Sequence, residues 1–144
     1  MEVLLISHDG IASGAKRSVE LILGEQERLS VIELTAAEGI GVFGTKLADF
    51  ISRKIKETQQ FIIVSDLQNG SPYNAAAAYI IQNNLANKVT LLTGMNLNMV
   101  LESVLFDGDE LTHDGIGQIL GISVEGISML QMQEHLTLIS TGDE

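Results

Sequence analysis

Four short, nearly unbroken apolar runs punctuate the chain, at Val3 to Ile6, Val31 to Leu34, Phe61 to Val64 and Val89 to Leu92. Runs of this length, rich in Val, Ile and Leu and without polar alternation, predict β-strands covered on both faces. Between them the apolar spacing changes to a helical period, over about 11–24, 42–58 and 72–85. In the second of these segments Leu47, Phe50, Ile51 and Ile55 fall on one face, with Lys46, Asp49, Arg53, Lys54 and Glu57 mostly on the other. Strands alternating with helices at this spacing imply right-handed βαβ crossovers. The fold class that follows is α/β, a doubly wound, four-stranded and mainly parallel sheet flanked by helices. Beyond the fourth run, Asn96 to Phe106 and roughly Asp114 to Glu125 read as helices separated by the acidic turn Asp107-Gly108-Asp109-Glu110. The segment Gly126 to Ser140 carries Ile127, Met129, Leu130, Met132, Leu136, Leu138 and Ile139, too many apolar residues for a free tail. It is expected to add an edge strand, to its own sheet or across to a second subunit of a homodimer.

Composition narrows the function. With 144 residues and one Pro, a single domain spanning residues 1–144 is expected. There is no Cys, so thiol nucleophiles, disulfides and Cys-based metal centres drop out together. Nineteen acidic residues against eight basic ones give a net charge of −11, which makes nucleic acid and anionic membrane poor partners. The first residues lack a basic stretch, and their apolar run stops at Ser7-His8-Asp9, so a buried strand is expected there rather than a signal peptide or membrane span. A cytoplasmic location is the corresponding expectation.

In doubly wound sheets ligands bind outside the carboxyl ends of the strands, where the strand order reverses. The residues following the four runs are Ser7-His8-Asp9-Gly10, Thr35-Ala36-Ala37-Glu38, Ser65-Asp66-Leu67-Gln68-Asn69-Gly70-Ser71-Pro72 and Thr93-Gly94-Met95-Asn96. A neutral imidazole attacks through one nitrogen while the other carries the proton, and a carboxylate accepting that N–H fixes the tautomer. His8 and Asp66 suit this pairing if the first and third strands are neighbours. Ser71-Pro72 reads as an N-cap followed by Pro at the first helical position, and a helix N-terminus suits an anion. His113, in the loop or first turn before the last helix, and His135, in the C-terminal segment, read as solvated side chains. The literal Gly39-x-Gly41-x-x-Gly44 does not directly follow its strand as a dinucleotide fingerprint does, so it reads as a flexible loop entering the second helix. The three His are unclustered and no strand end supplies two carboxylates; no metal and no cofactor is expected.

The segment Leu5 to Gly10, with Leu23-Gly24-Glu25-Gln26-Glu27, resembles the start of IIA components of the mannose family of the bacterial phosphoenolpyruvate-dependent sugar phosphotransferase system. Asp66 to Asn74 followed by Ala75-Ala76 is similar to that family's Asp-x-x-x-Gly-[Ser/Thr]-Pro-x-Asn-Ala-Ala signature, and Thr93 to Met99 to its Gly-x-Asn-[Ile/Leu]-Pro-Met stretch. The resemblance implies that His8 accepts a phosphoryl group from the phosphocarrier protein HPr and passes it to a histidine of a IIB component. It further implies that Asp66 orients His8 and that Ser71 and Gly70 lie beside the phosphoryl group. Two departures stand out. Asn69-Gly70 occupies a place where members often have Gly-Gly, and Asn98 stands where they have Pro. Asn adopts positive φ less readily than Gly, so the first departure bears on loop freedom. Other readings of the same pattern are a receiver-like module phosphorylated on Asp66, which would need more than Asp9 after the first strand, and a small-ligand-binding domain. The related module of dihydroxyacetone phosphorylation usually reads Asp-x-Gly-Ser, unlike Asp66 to Ser71. The sugar is not encoded in these motifs, and mannose, fructose, sorbose or an amino sugar all fit.

Overall fold

The computed structural model describes residues 1–108 and 110–132. Its elements run β1 (Glu2–His8), α1 (Ile11–Leu23), β2 (Leu29–Leu34), α2 (Gly39–Glu57), β3 (Phe61–Ser65), α3 (Ser71–Gln82), β4 (Val89–Thr93), α4 (Leu97–Leu105) and α5 (His113–Glu125). The four strands form one sheet of order β2-β1-β3-β4, with every pairing parallel. The expected doubly wound α/β class is therefore the observed one.

Alternating positions on the strands divide the core into two layers. Val3 and Leu5 of β1 and Ile62 and Val64 of β3 pack with Val19, Met99, Val100 and Ile119 of α1, α4 and α5. Leu4 and Ile6, with Phe61 and Ile63, face Phe43, Leu47, Phe50, Ile51 and Ile80 of α2 and α3. This is why the two central strands read as continuous apolar runs, since each successive side chain enters one layer or the other. The first crossover, through α1, lies on one face and the second, through α2, on the other. The direction in which successive strands are added thus reverses between β1 and β3, and the carboxyl ends of these two parallel strands flank the switch point.

Two local features differ from the sequence expectation, and a third is described only in part. The second helix begins at Gly39 rather than near residue 42, so Gly41 and Gly44 lie inside a helix and the glycine pattern is not a loop. Phe43, 1% exposed, supplies the reason. Burying a Phe side chain contributes roughly 1.5–3 kcal/mol, which offsets the about 1 kcal/mol that each helical Gly costs relative to Ala. A side chain at Gly41 or Gly44 would meet no atom within 4 Å, so neither glycine serves a close approach of the kind a dinucleotide loop requires. The third helix takes Gly70 as its N-cap, with Ser71 already helical. Finally, Ile127 to Gln131 are not strand, and Ile127, Met129, Leu130 and Met132 are exposed. The remainder of the expected edge strand, with Leu136, Leu138, Ile139 and His135, lies outside the described residues, as does Asp109 of the acidic turn.

Candidate functional site

β1 and β3 pair in register, Ile6 opposite Ser65, so His8 and Asp66 leave the sheet side by side. One carboxylate oxygen of Asp66, Oδ2, accepts both the His8 backbone N–H at 3.0 Å and the His8 Nδ1–H at 2.8 Å. The other, Oδ1, accepts the Leu67 N–H at 2.9 Å. A carboxylate only accepts, so Nδ1 carries the imidazole proton and the lone pair resides on Nε2. The exposure of the pair is unequal, 44% for the His8 side chain against 6% for Asp66. Burial by itself would raise the Asp66 carboxyl, but the hydrogen bonds from the His8 ring and backbone and from the Leu67 amide outweigh it, and the group sits below its ordinary value. Buried, ionised and with both oxygens engaged, Asp66 is built to hold a neighbour. That argues against Asp66 itself as the phosphoryl acceptor of a receiver.

The loop from Asp66 to Ser71 brings the start of α3 against this imidazole. A Cβ on Gly70 would meet His8 Cε1 at 3.1 Å and the Leu67 carbonyl oxygen at 3.2 Å, so any larger residue would push the ring or the loop back by a few tenths of an ångström. Asn69 takes a positive φ of 63°, and the Asn74 side chain donates to its carbonyl oxygen at 3.0 Å. The Asn at this departure from the family pattern therefore occupies the left-handed conformation that glycine adopts freely. The cap residue Gly70 offers α3 no side-chain hydrogen bond, and Pro72 has no N–H to satisfy. Ser71 is exposed beside it.

The opposite helix start is arranged differently. The buried Ser7 hydroxyl accepts the Ala12 N–H of α1 at 2.9 Å and donates to the His8 carbonyl oxygen. Glu33 of β2 accepts the Ser13 N–H at 2.6 Å. Burial would push Glu33 up, but the Ser13 amide and hydroxyl, the Gly10 amide and the Arg17 charge carry it below its ordinary value. Glu33 is a residue that the motifs and strand ends do not single out. Its one signal in the sequence is a lone carboxylate in an apolar strand, and in register it stands opposite Ser7.

The remaining candidates take other places. Asp9 is exposed at the turn into α1, and His113 is exposed at the start of α5. Asn96 caps α4 by accepting the Met99 N–H at 2.9 Å and donates to the Ser123 carbonyl oxygen of α5 at 2.8 Å. Asn98, the second departure, fills the space that a side chain at Gly126 would need. Among the described residues no three His, Cys, Asp or Glu side chains gather as a metal site, and no helix is long and apolar enough to cross a membrane.

Fold and site together define a parallel α/β protein that presents an imidazole, held by a buried carboxylate, at its topological switch point. The family model EIIA-man, described as the PTS system fructose IIA component, matches residues 2–118. The chain belongs to this family, and is a IIA component of the mannose and sorbose type of the sugar phosphotransferase system. It is 34% identical over 102 residues to the sorbose-specific EIIA component of Lacticaseibacillus casei, covering 71% of this chain and 70% of that protein. It is 24% identical over 144 residues to the fructose-specific EIIA component of Bacillus subtilis, covering 100% of this chain and 94% of that one. The fold is shared with the PTS IIA protein associated with the fucose utilization operon of Streptococcus pneumoniae, with a TM-score of 0.78, 24% identity and coverage of 94% and 95%. It is shared as well with a mannose/sorbose-specific IIA subunit from Enterococcus faecalis, with a TM-score of 0.77, 20% identity and coverage of 90% and 94%.

Proposed function

We propose that this protein is a cytoplasmic phosphoryl carrier, that His8 Nε2 takes the phosphoryl group from phospho-HPr, and that the group then passes to a histidine of a IIB component. The observation that carries this reading is the 2.8 Å bond from His8 Nδ1 to Asp66, which directs the Nε2 lone pair away from the buried carboxylate. In the forward step the Nε2 lone pair forms the new N–P bond while the donor's N–P bond breaks and its electron pair returns to the donor nitrogen. The Nδ1 proton stays in the bond to Asp66, where the carboxylate balances the positive charge that develops on the ring. The phosphoryl oxygens are received at the start of α3 beside Gly70 and Ser71: the Gly70 amide is taken by the Leu67 carbonyl oxygen, so the Ser71 amide and hydroxyl and the positive end of the helix dipole are what favour negative charge there. The step needs no metal, because positioning and electrostatic stabilisation supply most of the catalysis in phosphoryl transfer.

A protein donor fits the surroundings. Ile11, Ile40, Val42, Leu67 and Leu97 belong to the helix starts and the loop at this edge of the sheet, and all are exposed. Such a rim suits another protein surface better than a small polar substrate. We further propose a homodimer of single-domain chains spanning residues 1–144, with the C-terminal segment packed on the partner. The exposed Ile127, Met129, Leu130 and Met132 support it, as does the edge of β4, which no strand among the described residues pairs.

Incubation with labelled phospho-HPr, followed by mapping of the label, tests the carrier reading. Acid-labile, base-stable label on His8, absent in His8→Ala, is the expected result. Label retained in that variant, or base-labile label on Asp66, overturns it. Sedimentation tests the dimer, and a monomer for the full chain rules it out.

A further inference from the structure

The chain leaving His8 makes its turn through Asp9 and Gly10 before α1 begins. Gly10 adopts a φ of 90°, the left-handed region in which glycine moves freely, so the turn contains its own swivel. Two groups converge on this swivel from the body of the protein. The Ser7 hydroxyl ties the His8 carbonyl to the Ala12 amide. The Glu33 carboxylate takes the Ser13 amide at 2.6 Å. Glu33 stands on the neighbouring strand, opposite Ser7 in register, and so belongs to the rigid sheet rather than to the turn.

We infer that Glu33 is a positioning residue for phosphoryl transfer: it clamps the turn after His8 to β2 and so fixes, together with Asp66 on the other side, the place from which the imidazole attacks. This rests on the reading of His8 as the phosphoryl acceptor. The imidazole is bonded to Asp66 and not to Glu33, which acts through the main chain at Ser13. The two carboxylates divide the work. Asp66 holds the ring and the His8 N–H, whereas Glu33 holds the segment immediately beyond the His8 carbonyl. A helix cap that merely stabilised α1 would need no such placement, because a Ser, Thr, Asp or Asn at position 10 would cap it locally. Instead position 10 is a glycine and the acceptor comes from 20 residues away. Displacements of about 1 Å are enough to cost phosphoryl transfer as much as a hundredfold, so slack in this turn reaches the reacting atom.

The test separates reach from charge. Glu33→Gln keeps an oxygen at the same distance and loses the charge, while Glu33→Asp keeps the charge and falls one methylene short. With phospho-HPr as donor, the clamp predicts that Glu33→Gln retains kcat to within about twofold, whereas Glu33→Asp and Glu33→Ala lose about fivefold or more with KM unchanged. Amide exchange at Ser13 should quicken in the two slow variants, measured well below their melting temperatures. Full kcat in both Glu33→Asp and Glu33→Ala, or a loss in KM alone, overturns the inference. So does activity that follows charge, retained in Glu33→Asp and lost in Glu33→Gln. Should Glu33→Ala fail to fold, the Gln and Asp pair decides alone. Label missing from His8 in the unaltered protein would instead overturn the carrier reading, which keeps the two failures distinguishable.

Discussion

α1 and α3 both begin at the carboxyl edge of the sheet, on opposite faces, and both bring a first turn with unpaired amides to within a few residues of His8. In α1 those amides are taken by the protein's own Ser7 and Glu33. In α3 the cap residue is Gly70, which contributes no side chain, and its backbone lies against the imidazole. The same elementary feature thus serves two purposes. A helix start that is closed internally anchors the chain, and one left without a side-chain cap keeps its donors and its positive dipole end for an external anion. On the proposed reading that anion is the phosphoryl group on His8.

The strongest way to break the comparison is to remove the carboxylate on the α3 side. Asp66→Asn should accept phosphate from HPr at least about tenfold more slowly, equivalent to roughly 1.4 kcal/mol of barrier, with a melting temperature within a few degrees of the unaltered protein. Asp66→Ala should be slower still, since it leaves Nδ1 without an acceptor. Wild-type rates in both folded variants would reduce Asp66 to a turn residue. Next in size is Gly70→Ala. Its Cβ must displace the ring or the loop, and a rate lower by about tenfold is expected, with little change in stability. An unchanged rate would show that the close approach of α3 to the imidazole has no part in transfer.

On the α1 side the effect should appear in stability. Ser7→Ala leaves the Ala12 amide and the His8 carbonyl oxygen short of a buried partner, which costs about 1–3 kcal/mol. For a chain of this size that lowers the melting temperature by roughly 2–4 °C per kcal/mol, and thermal denaturation reads it directly. The smallest effect distinguishes the two carboxylates by pH. Both Asp66 and Glu33 sit below their ordinary values in the folded protein. The stability each contributes is therefore fully present above the unfolded values, about 3.9 for Asp and 4.3 for Glu, and is lost as pH falls through the lower folded values. Asp66→Asn and Glu33→Gln should each flatten the decline of melting temperature below about pH 4, and the double variant should flatten it further. A decline as steep as in the unaltered protein would mean that neither carboxylate is held as its hydrogen bonds suggest.

Much of the site is legible in the amino-acid sequence alone. His8 and Asp66 can be paired because each directly follows an apolar run, and the pairing requires only that β1 and β3 be neighbours. The start of α2 is not legible in the same way. Gly41 and Gly44 signal a loop by propensity, while the burial of Phe43 that overrides them depends on where α2 docks on the sheet. Glu33 is hidden for a related reason, since its partner, Ser13, is 20 residues away and no local pattern links them.

The sequence by itself determined the layers and the chemistry. Continuous apolar runs specify strands buried on both faces, the alternation with helices specifies parallel crossovers, and the residue types at the strand ends specify an imidazole, a carboxylate and a helix start. Tertiary structure alone decided which of these groups meet and at what distance. The order β2-β1-β3-β4 sets His8 beside Asp66, the register sets Glu33 beside Ser7, and the docking of α3 brings Gly70 against the ring. The reason is physical: hydrophobic burial depends on composition and period, which are local, whereas a hydrogen bond depends on distances of a few tenths of an ångström, which only the packed sheet and helices establish.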